Sequence, residues 1–401
     1  MINLEHKPWY KSYFYGLLQR YLSVYVRPKD DPRFIILNGT IHYERDLQNF
    51  FDDLHGRCLS STRIIITYYS ALWRPVLRLA TFLHLRQKMA EENWISNEDV
   101  ENILSLSDFE VVSRDMKVII PVYIPLFSNL VNRYLAPLPF FRLFCIVNIL
   151  VARPLKKREN KELSVSVVVP ARNEAGNIEN IIKRLPRMGP EDELIFVEGH
   201  STDNTWPTIQ AMQAKHGNTV SIKCARQDGT GKGDAVRKGF ELASKDILMI
   251  LDADLTVPPE SLPFFYRAIK EGRGEFINGS RLVYPMEERS MQFLNMAANK
   301  FFAIAFSYVL GQRFKDTLCG TKAILREDYA MLAANRSYFG DFDPFGDFDL
   351  IFGAARLCLK IVEVPVRYKE RTYGVTNIRR WKHGAMLFRM LIYASKKIKF
   401  I

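Results

Sequence analysis

The run Ile247-Leu248-Met249-Ile250-Leu251 leads directly into Asp252-Ala253-Asp254. Five apolar residues in succession, without alternation, predict a strand covered on both faces, the kind found in parallel sheets. Upstream, residues 164–169 (SVSVVV) and 193–197 (ELIFV) read the same way. Helices are predicted over 177–185, from Thr208, and over 235–242. Strand, helix and strand recurring at this spacing predict an α/β, mostly parallel sheet with helices on both faces. Ligands bind such sheets beyond the carboxyl ends of the strands. Polar clusters fall there: Ala171-Arg172-Asn173-Glu174, the stretch 198–203, and Asp252-Ala253-Asp254.

Asp252 and Asp254 are two apart on extended chain and so share a face. Paired carboxylates at a strand end suit Mg²⁺ or Mn²⁺ shared with a diphosphate, since a hard cation takes a few carboxylates plus phosphate oxygens. The competing reading is that Asp254 caps the helix opening near Pro258-Pro259. The loop Asp228-Gly229-Thr230-Gly231-Lys232-Gly233-Asp234 is glycine-rich and carries a lysine. It is neither a Walker loop, because Arg226 stands where the first glycine would be, nor G-x-G-x-x-G. It is either a flexible turn or a close approach to a nucleotide or sugar, with Lys232 supplying charge. Arg281, Arg289 and Arg371 are candidate diphosphate clamps, because guanidinium matches phosphate in a bidentate way. Asp341, Asp343, Asp347 and Asp349 crowd one aromatic-rich segment. Mutual repulsion there would raise a pKa and supply a general base; alternatively the segment caps a helix starting near Leu350.

The remaining chain divides around the charged stretch 156–162, read as a linker. Before it, 34–37 and 64–68 read as short strands. Residues 46–54 and 97–106 read as helices, the second capped by Asn97. Lys plus Arg outnumber Asp plus Glu by 56 to 44, a net charge of +12 that favours polyanionic partners. No nucleic-acid motif accompanies it, and no nucleic-acid partner is expected. The five scattered cysteines form no C-x-x-C pair, arguing against a zinc site and for a reducing compartment. Met1 to Tyr10 has no apolar core of the signal-peptide kind, and no uncharged run reaches the ~20 residues of a spanning helix. Beyond Glu370 there is no acidic residue, and basic residues interleave with aromatic and aliphatic ones. Residues 377–401 therefore read as a basic amphipathic helix on an anionic membrane surface, or as a terminal helix packed on its own domain.

Six segments in order, VVVPARNEAGNI, VEGHSTDNT, GTGKGDAVRKGF, LDADL, NGSR and EVPVRYKERTYG, resemble family 2 glycosyltransferases of the GT-A fold. The resemblance lies close to the dolichyl- and polyprenyl-phosphate sugar transferases. It implies a nucleotide-diphospho-sugar transferase domain over 163–376. On that resemblance Pro170, Arg172, Glu174, Val197, Glu198, Lys232 and Ala253 would meet the nucleotide-sugar, and Asp252 and Asp254 would hold the metal. Arg281 and Arg371 would neutralise the leaving diphosphate. Asp347 falls where hydroxyl-acceptor branches place their base, and Asp316 is the second candidate catalytic carboxylate. Three positions depart from the pattern: Gly199 replaces the second of two paired acids, Thr256 a glutamine and Asn377 a lysine. Within a first module of 1–155, Asp31 to about Pro154 resembles the C-terminal half of a class I S-adenosylmethionine-dependent methyltransferase, through FIILNGTIHYERDLQNFF, RIIITYYSALW and NWISNEDVENILSLSDFEVV. The glycine-rich cofactor loop is absent upstream, which implies a non-catalytic module.

The expected activity is inverting transfer of a sugar from a nucleotide-sugar donor to a polyprenyl-phosphate or glycan acceptor. The expected location is peripheral, on the cytoplasmic face of a membrane. The rival is a non-catalytic scaffold that keeps the sheet without metal-dependent nucleotide-sugar binding.

Overall fold

The computed structural model describes residues 9–25, 33–84, 93–156, 162–284, 293–336, 346–371, 373 and 380–401. The expectations for Arg289, Asp341, Asp343, Asn377 and most of the stretch 156–162 fall outside these residues. The chain divides into two compact units. One is Met1–Lys156 with Val309–Gln312 and Tyr393–Ile401; the other is Lys157–Tyr308 with Arg313–Ile392.

The first unit holds a four-stranded sheet of β1 (Phe34–Asn38), β2 (Arg63–Tyr69), β3 (Phe109–Lys117) and β4 (Val147–Pro154), in the order β1-β2-β4-β3. β1 and β2 run parallel, while β4 lies antiparallel between β2 and β3. Ile64, Ile65 and Ile66 are all fully buried, so β2 is covered on both faces. The helix Leu47–Arg57 is capped by Asp46, whose carboxylate accepts the Asn49 N–H at 3.0 Å. The helix Asn97–Leu106 is capped by Ser96 rather than Asn97. Its hydroxyl accepts the Asp99 N–H at 3.1 Å and the Asp99 carboxylate accepts the Ser96 N–H at 3.4 Å. Both orphan donors are met by this reciprocal box, which Asn97 could not close. Asp115 is buried between Lys399, 2.9 Å away, and Lys117, 3.3 Å away. Burial pulls the Lys399 ammonium down to about 8, against the opposing pull of Asp115.

The second unit holds a seven-stranded sheet: β5 (Val165–Ala171), β6 (Glu193–Glu198), β7 (Ser221–Arg226), β8 (Ile247–Ile250), β9 (Phe276–Ser280), β10 (Lys322–Leu325) and β11 (Ile361–Pro365). Their order is β11-β9-β10-β8-β5-β6-β7. All neighbours are parallel except β10, which runs antiparallel to both β8 and β9. Val165, Val167 and Val169 share a core with the helices Ile178–Arg184, Thr205–His216 and Leu262–Lys270. Val168, one residue out of step, meets Gly239 of the helix Lys232–Leu242 so closely that an added Cβ would clash. Helices therefore cover both faces.

Two predicted helix starts move. Thr205–His216 begins three residues before Thr208, with the Thr205 N–H donating to the Asp203 carboxylate at 3.0 Å. Lys232–Leu242 begins three residues before Ala235, after Gly231 at φ 92. The glycines that blur the pattern are the residues that allow this turn.

The terminal helix Arg380–Ile398 buries Leu387, Met390, Leu391 and Ala394. One apolar stripe of the helix is thus packed inside the protein and Lys399 is enclosed beside Asp115, while Phe388 and Ile392 of the same helix stay exposed, so both readings of 377–401 stand. Among the described residues no helix is long and apolar enough to cross a membrane.

Candidate functional site

The carboxyl ends of β5, β6, β8 and β9 carry the charged residues singled out from the sequence. The backbone is unusual there. Asn173 after β5, His200 after β6 and Leu255 after β8 all take φ between 55 and 57. Left-handed backbone is tolerated by asparagine and histidine but strained for leucine, and strained residues gather at functional sites.

Asp252 and Asp254 leave the end of β8 toward two different cations. Asp252 meets the Lys232 ammonium at 2.5 Å. Burial would lift its carboxyl, but Lys232, Lys322 and Arg281 outweigh that and hold it below the usual carboxylate range. Burial likewise opposes charge on Lys232, and Asp252, Asp347 and Asp254 together push its ammonium well above the ordinary lysine value. Asp254 meets Arg371 at 2.7 Å and also accepts the Thr256 hydroxyl at 2.8 Å and N–H at 3.1 Å. The alternative reading of Asp254 as a cap thus survives only as this local turn. Thr256, which departs from the sequence pattern, buttresses the second carboxylate.

Arg371 spans two strand ends. Its other nitrogen lies 3.1 Å from Glu174 after β5. Glu174 also accepts from Asn177 at 2.8 Å, and burial pushes its carboxyl up to about 7 despite Arg371. Pro170 and Val197 sit on β5 and β6, and Arg172 is exposed just past β5. Glu198 is buried at the end of β6, where it accepts the Ser201 N–H and lies 3.5 Å from Arg226. Ala253 is buried between the two aspartates.

Arg281 and Asp316 form a unit of their own. Arg281 Nε and Nη2 lie 2.7 and 2.9 Å from the two Asp316 oxygens, and the Arg281 N–H donates to the same carboxylate at 3.0 Å. Asn299 and the Leu318 N–H add donors at 2.8 and 3.0 Å. Arg281 also stacks over the Tyr368 ring. Asp316 is fully buried, so it holds Arg281 in place at the end of β9.

Asp347 is the first residue of the helix Asp347–Arg356, three residues before the predicted start at Leu350. It pairs with Lys322 at 3.1 Å, both side chains being buried. Gly346, at φ 71, approaches Gly233 closely enough that a Cβ would sit 2.6 Å from the Gly233 Cα. That approach seats Asp347 beside the Lys232 turn. Asp349 instead pairs with Arg336 at 2.7 Å.

Two participants were not anticipated from sequence. Lys322 lies on β10, and Gly320 is crowded so tightly by Lys232 Nζ and the Asp252 carboxylate that a side chain there would displace them. Both sit in Cys319-Gly320-Thr321-Lys322, whose Gly-x-Lys spacing is the only signal and a weak one. For a divalent ion the donor chemistry fits: two carboxylates at one strand end, already balanced by cations. No cluster of three or more metal-ligating side chains occurs among the described residues. Asp252 and Asp254 would therefore leave most of the shell to phosphate oxygens and water, as Mg²⁺ prefers.

The chain is 28% identical over 241 residues to dolichol-phosphate mannosyltransferase of Pyrococcus furiosus, a match covering 59% of this chain and 64% of that protein. It is 28% identical over 236 residues to glycosyltransferase AglJ of Haloferax volcanii, covering 58% and 72%. Among solved structures, glucosyl-3-phosphoglycerate synthase of Mycobacterium tuberculosis with Mn²⁺, UDP and glucosyl-3-phosphoglycerate is 23% identical. That match has a TM-score of 0.43 and covers 59% of this chain and 80% of that one. Residues 166–332, which contain all but the first residue of β5, the strands β6 through β10 and both aspartates, match the glycosyl transferase family 2 model.

Proposed function

We propose that the chain transfers a sugar, with inversion, from a nucleoside-diphosphate sugar to a polyprenyl phosphate. The observation that supports it is the meeting of Asp252 and Asp254 with Lys232 and Arg371 beyond β8. These two cations are the groups a diphosphate would engage in place of the carboxylates. A divalent ion on Asp252 and Asp254 would supply positive charge to the departing diphosphate. Lys232 and Arg371 add their own charge where it develops, the largest contribution in chemistry of this kind. Glu174, through Arg371, and Asp316, through Arg281, hold the guanidiniums at the ends of β5 and β9.

The lipid-phosphate acceptor is favoured over a hydroxyl by the state of Asp347. A hydroxyl needs a base within reach of its proton, whereas Asp347 is buried and paired with Lys322. A phosphate acceptor is already anionic and needs no such base. The Pyrococcus relative's name, which includes dolichol phosphate, points to the same acceptor class. Work at a membrane face by a peripheral protein is proposed together with that acceptor. For the first unit a non-catalytic, methyltransferase-like role is proposed, supported by its four strands with β4 inserted antiparallel. The test is transfer from UDP- and GDP-sugars to a short polyprenyl phosphate in detergent, with Mg²⁺ or Mn²⁺. Transfer from one donor, lost in Asp254→Asn, supports the proposal. Absence of transfer and of metal-dependent nucleotide-sugar binding would leave the scaffold reading standing.

A further inference from the structure

Two stretches of the first unit turn large apolar side chains to the outside. The helix Arg74–Phe82 has no buried residue. Leu72, Val76, Leu79 and Leu83 repeat at helical spacing and are each more than half exposed, and Phe82 is 78% exposed. The stretch 122–144 behaves alike: Leu126 is 79% and Phe140 64% exposed, with Phe127, Leu130 and Leu143 also more than half exposed. Single exposed leucines are ordinary, but a continuous run of this kind marks an interaction surface.

The two stretches are tied together and braced. The Trp73 indole N–H, just before the helix, donates to the Phe144 carbonyl at 2.9 Å, and the Ser70 N–H donates to the Ile146 carbonyl at 2.8 Å. Beneath 122–144, the buried Asn132 side chain accepts the N–H groups of Ile119 and Ile120 and donates to the Ile120 carbonyl. The Ser128 hydroxyl donates to the Val122 carbonyl and accepts the Ile124 N–H. Leu126 sits at φ 61, a strained place in which a leucine gains no packing inside the unit.

Charge selects the occupant. Neither 70–84 nor 116–158 contains an aspartate or glutamate. Exposed arginines Arg74, Arg78 and Arg133 stand among the apolar side chains. Two copies facing each other here would set arginine against arginine with no carboxylate between. A bilayer carrying anionic headgroups offers both complements: phosphates for the guanidiniums and acyl chains for the leucines and phenylalanines. We propose that this face of the first unit is a membrane-docking surface for anionic bilayers. The helix Arg74–Phe82 and the stretch 122–144 enter the interfacial region without spanning it. The assignment does not depend on the sugar-transfer reading.

The test is flotation of the full chain with phosphatidylcholine vesicles, with and without phosphatidylglycerol. Binding is expected to be about tenfold stronger when phosphatidylglycerol is present. The exposed pair Phe82→Ser and Leu126→Ser is expected to lower partitioning at least tenfold on both vesicle types. Arg74→Gln with Arg78→Gln is expected to remove most of the phosphatidylglycerol advantage only. Phe264→Ser, exposed on the second unit, is expected to change nothing. Absence of vesicle binding would overturn the proposal, as would binding that survives the Phe82 and Leu126 changes. So would a concentration-dependent dimer in sedimentation that those changes dissolve. Nucleotide-sugar binding by the same variants, followed by calorimetry, reports separately on the transferase reading.

Discussion

Changing Asp316 to asparagine removes one charge from a pair in which Asp316 is fully buried and Arg281 is nearly so, with side-chain exposures of 0% and 11%. Three contacts of 2.7 to 3.0 Å join the two residues. The guanidinium would then be buried without a counter-charge, which costs about 3–5 kcal/mol. Removing both charges, as Arg281→Met with Asp316→Leu, avoids that penalty and is expected to cost under about 1 kcal/mol, because apolar replacements of a buried pair are near neutral. The pair also has a pH signature. Burial alone would raise the Asp316 carboxyl, but Arg281 outweighs it and the folded value is about 2, below the ordinary 3.8. Between these values the unfolded chain binds a proton that the folded one does not, so stability falls as pH drops from about 4 to about 2. The shift corresponds to about 2 kcal/mol, absent in the double variant. Hydrogen exchange of the β9 and β10 amides reads the cost in the second unit. A single variant that loses less than about 1 kcal/mol, or a double variant that loses as much as the single, would refute the reasoning.

Three further outcomes follow from close approaches and buried charge. Gly320→Ala places a methyl against Lys232 Nζ and the Asp252 carboxylate. Sugar transfer should drop at least about tenfold, roughly 1.4 kcal/mol of barrier, while the melting temperature hardly moves. Gly239→Ala drives a Cβ into Val168, and a urea melt should show a loss of about 1–3 kcal/mol from over-packing. Lys399→Met removes one of two ammonium groups sharing Asp115 and should change stability by under about 1 kcal/mol at pH 7. Asp115→Asn should cost about 3 kcal/mol or more, because it leaves two buried cations unopposed. With the folded Lys399 value near 8, the unfolded chain binds an extra proton between about 8 and 10, so the parent protein gains stability as pH rises through that window. Lys399→Met should lack the gain in pH-dependent thermal melts.

Three strands of the second unit, β5, β6 and β8, were legible because their centres are apolar without alternation, as burial on both faces requires. The aspartates after β8 were legible for the same reason, since a strand end in such a sheet is where ligands gather. The antiparallel placement of β10 was not legible: Lys322-Ala323-Ile324-Leu325 is four residues long and opens with a lysine. The partnerships of the site were also hidden. Arg281 and Asp316 are 35 residues apart, and Lys322 and Asp347 are brought together only by folding. Helix starts at Lys232 and Asp347 were missed because the glycines preceding them weaken helical periodicity while permitting the turns the site needs. The apolar stretch 122–144 could have been core or surface, since composition does not reveal whether anything covers it. The terminal helix posed the opposite problem, since its basic residues suggested a membrane face while Lys399 is enclosed beside Asp115.

The central claim is that Asp252 and Asp254 join a divalent ion to a nucleoside diphosphate, and calorimetric titration tests it most directly. Nucleoside-diphosphate sugars would be titrated into the full chain with Mn²⁺ and with chelator, for the parent protein and for Asp254→Asn. The account predicts binding of one donor that requires Mn²⁺ and weakens at least about a hundredfold in Asp254→Asn, roughly 2.7 kcal/mol. Equal affinity in chelator, or in Asp254→Asn, would contradict it.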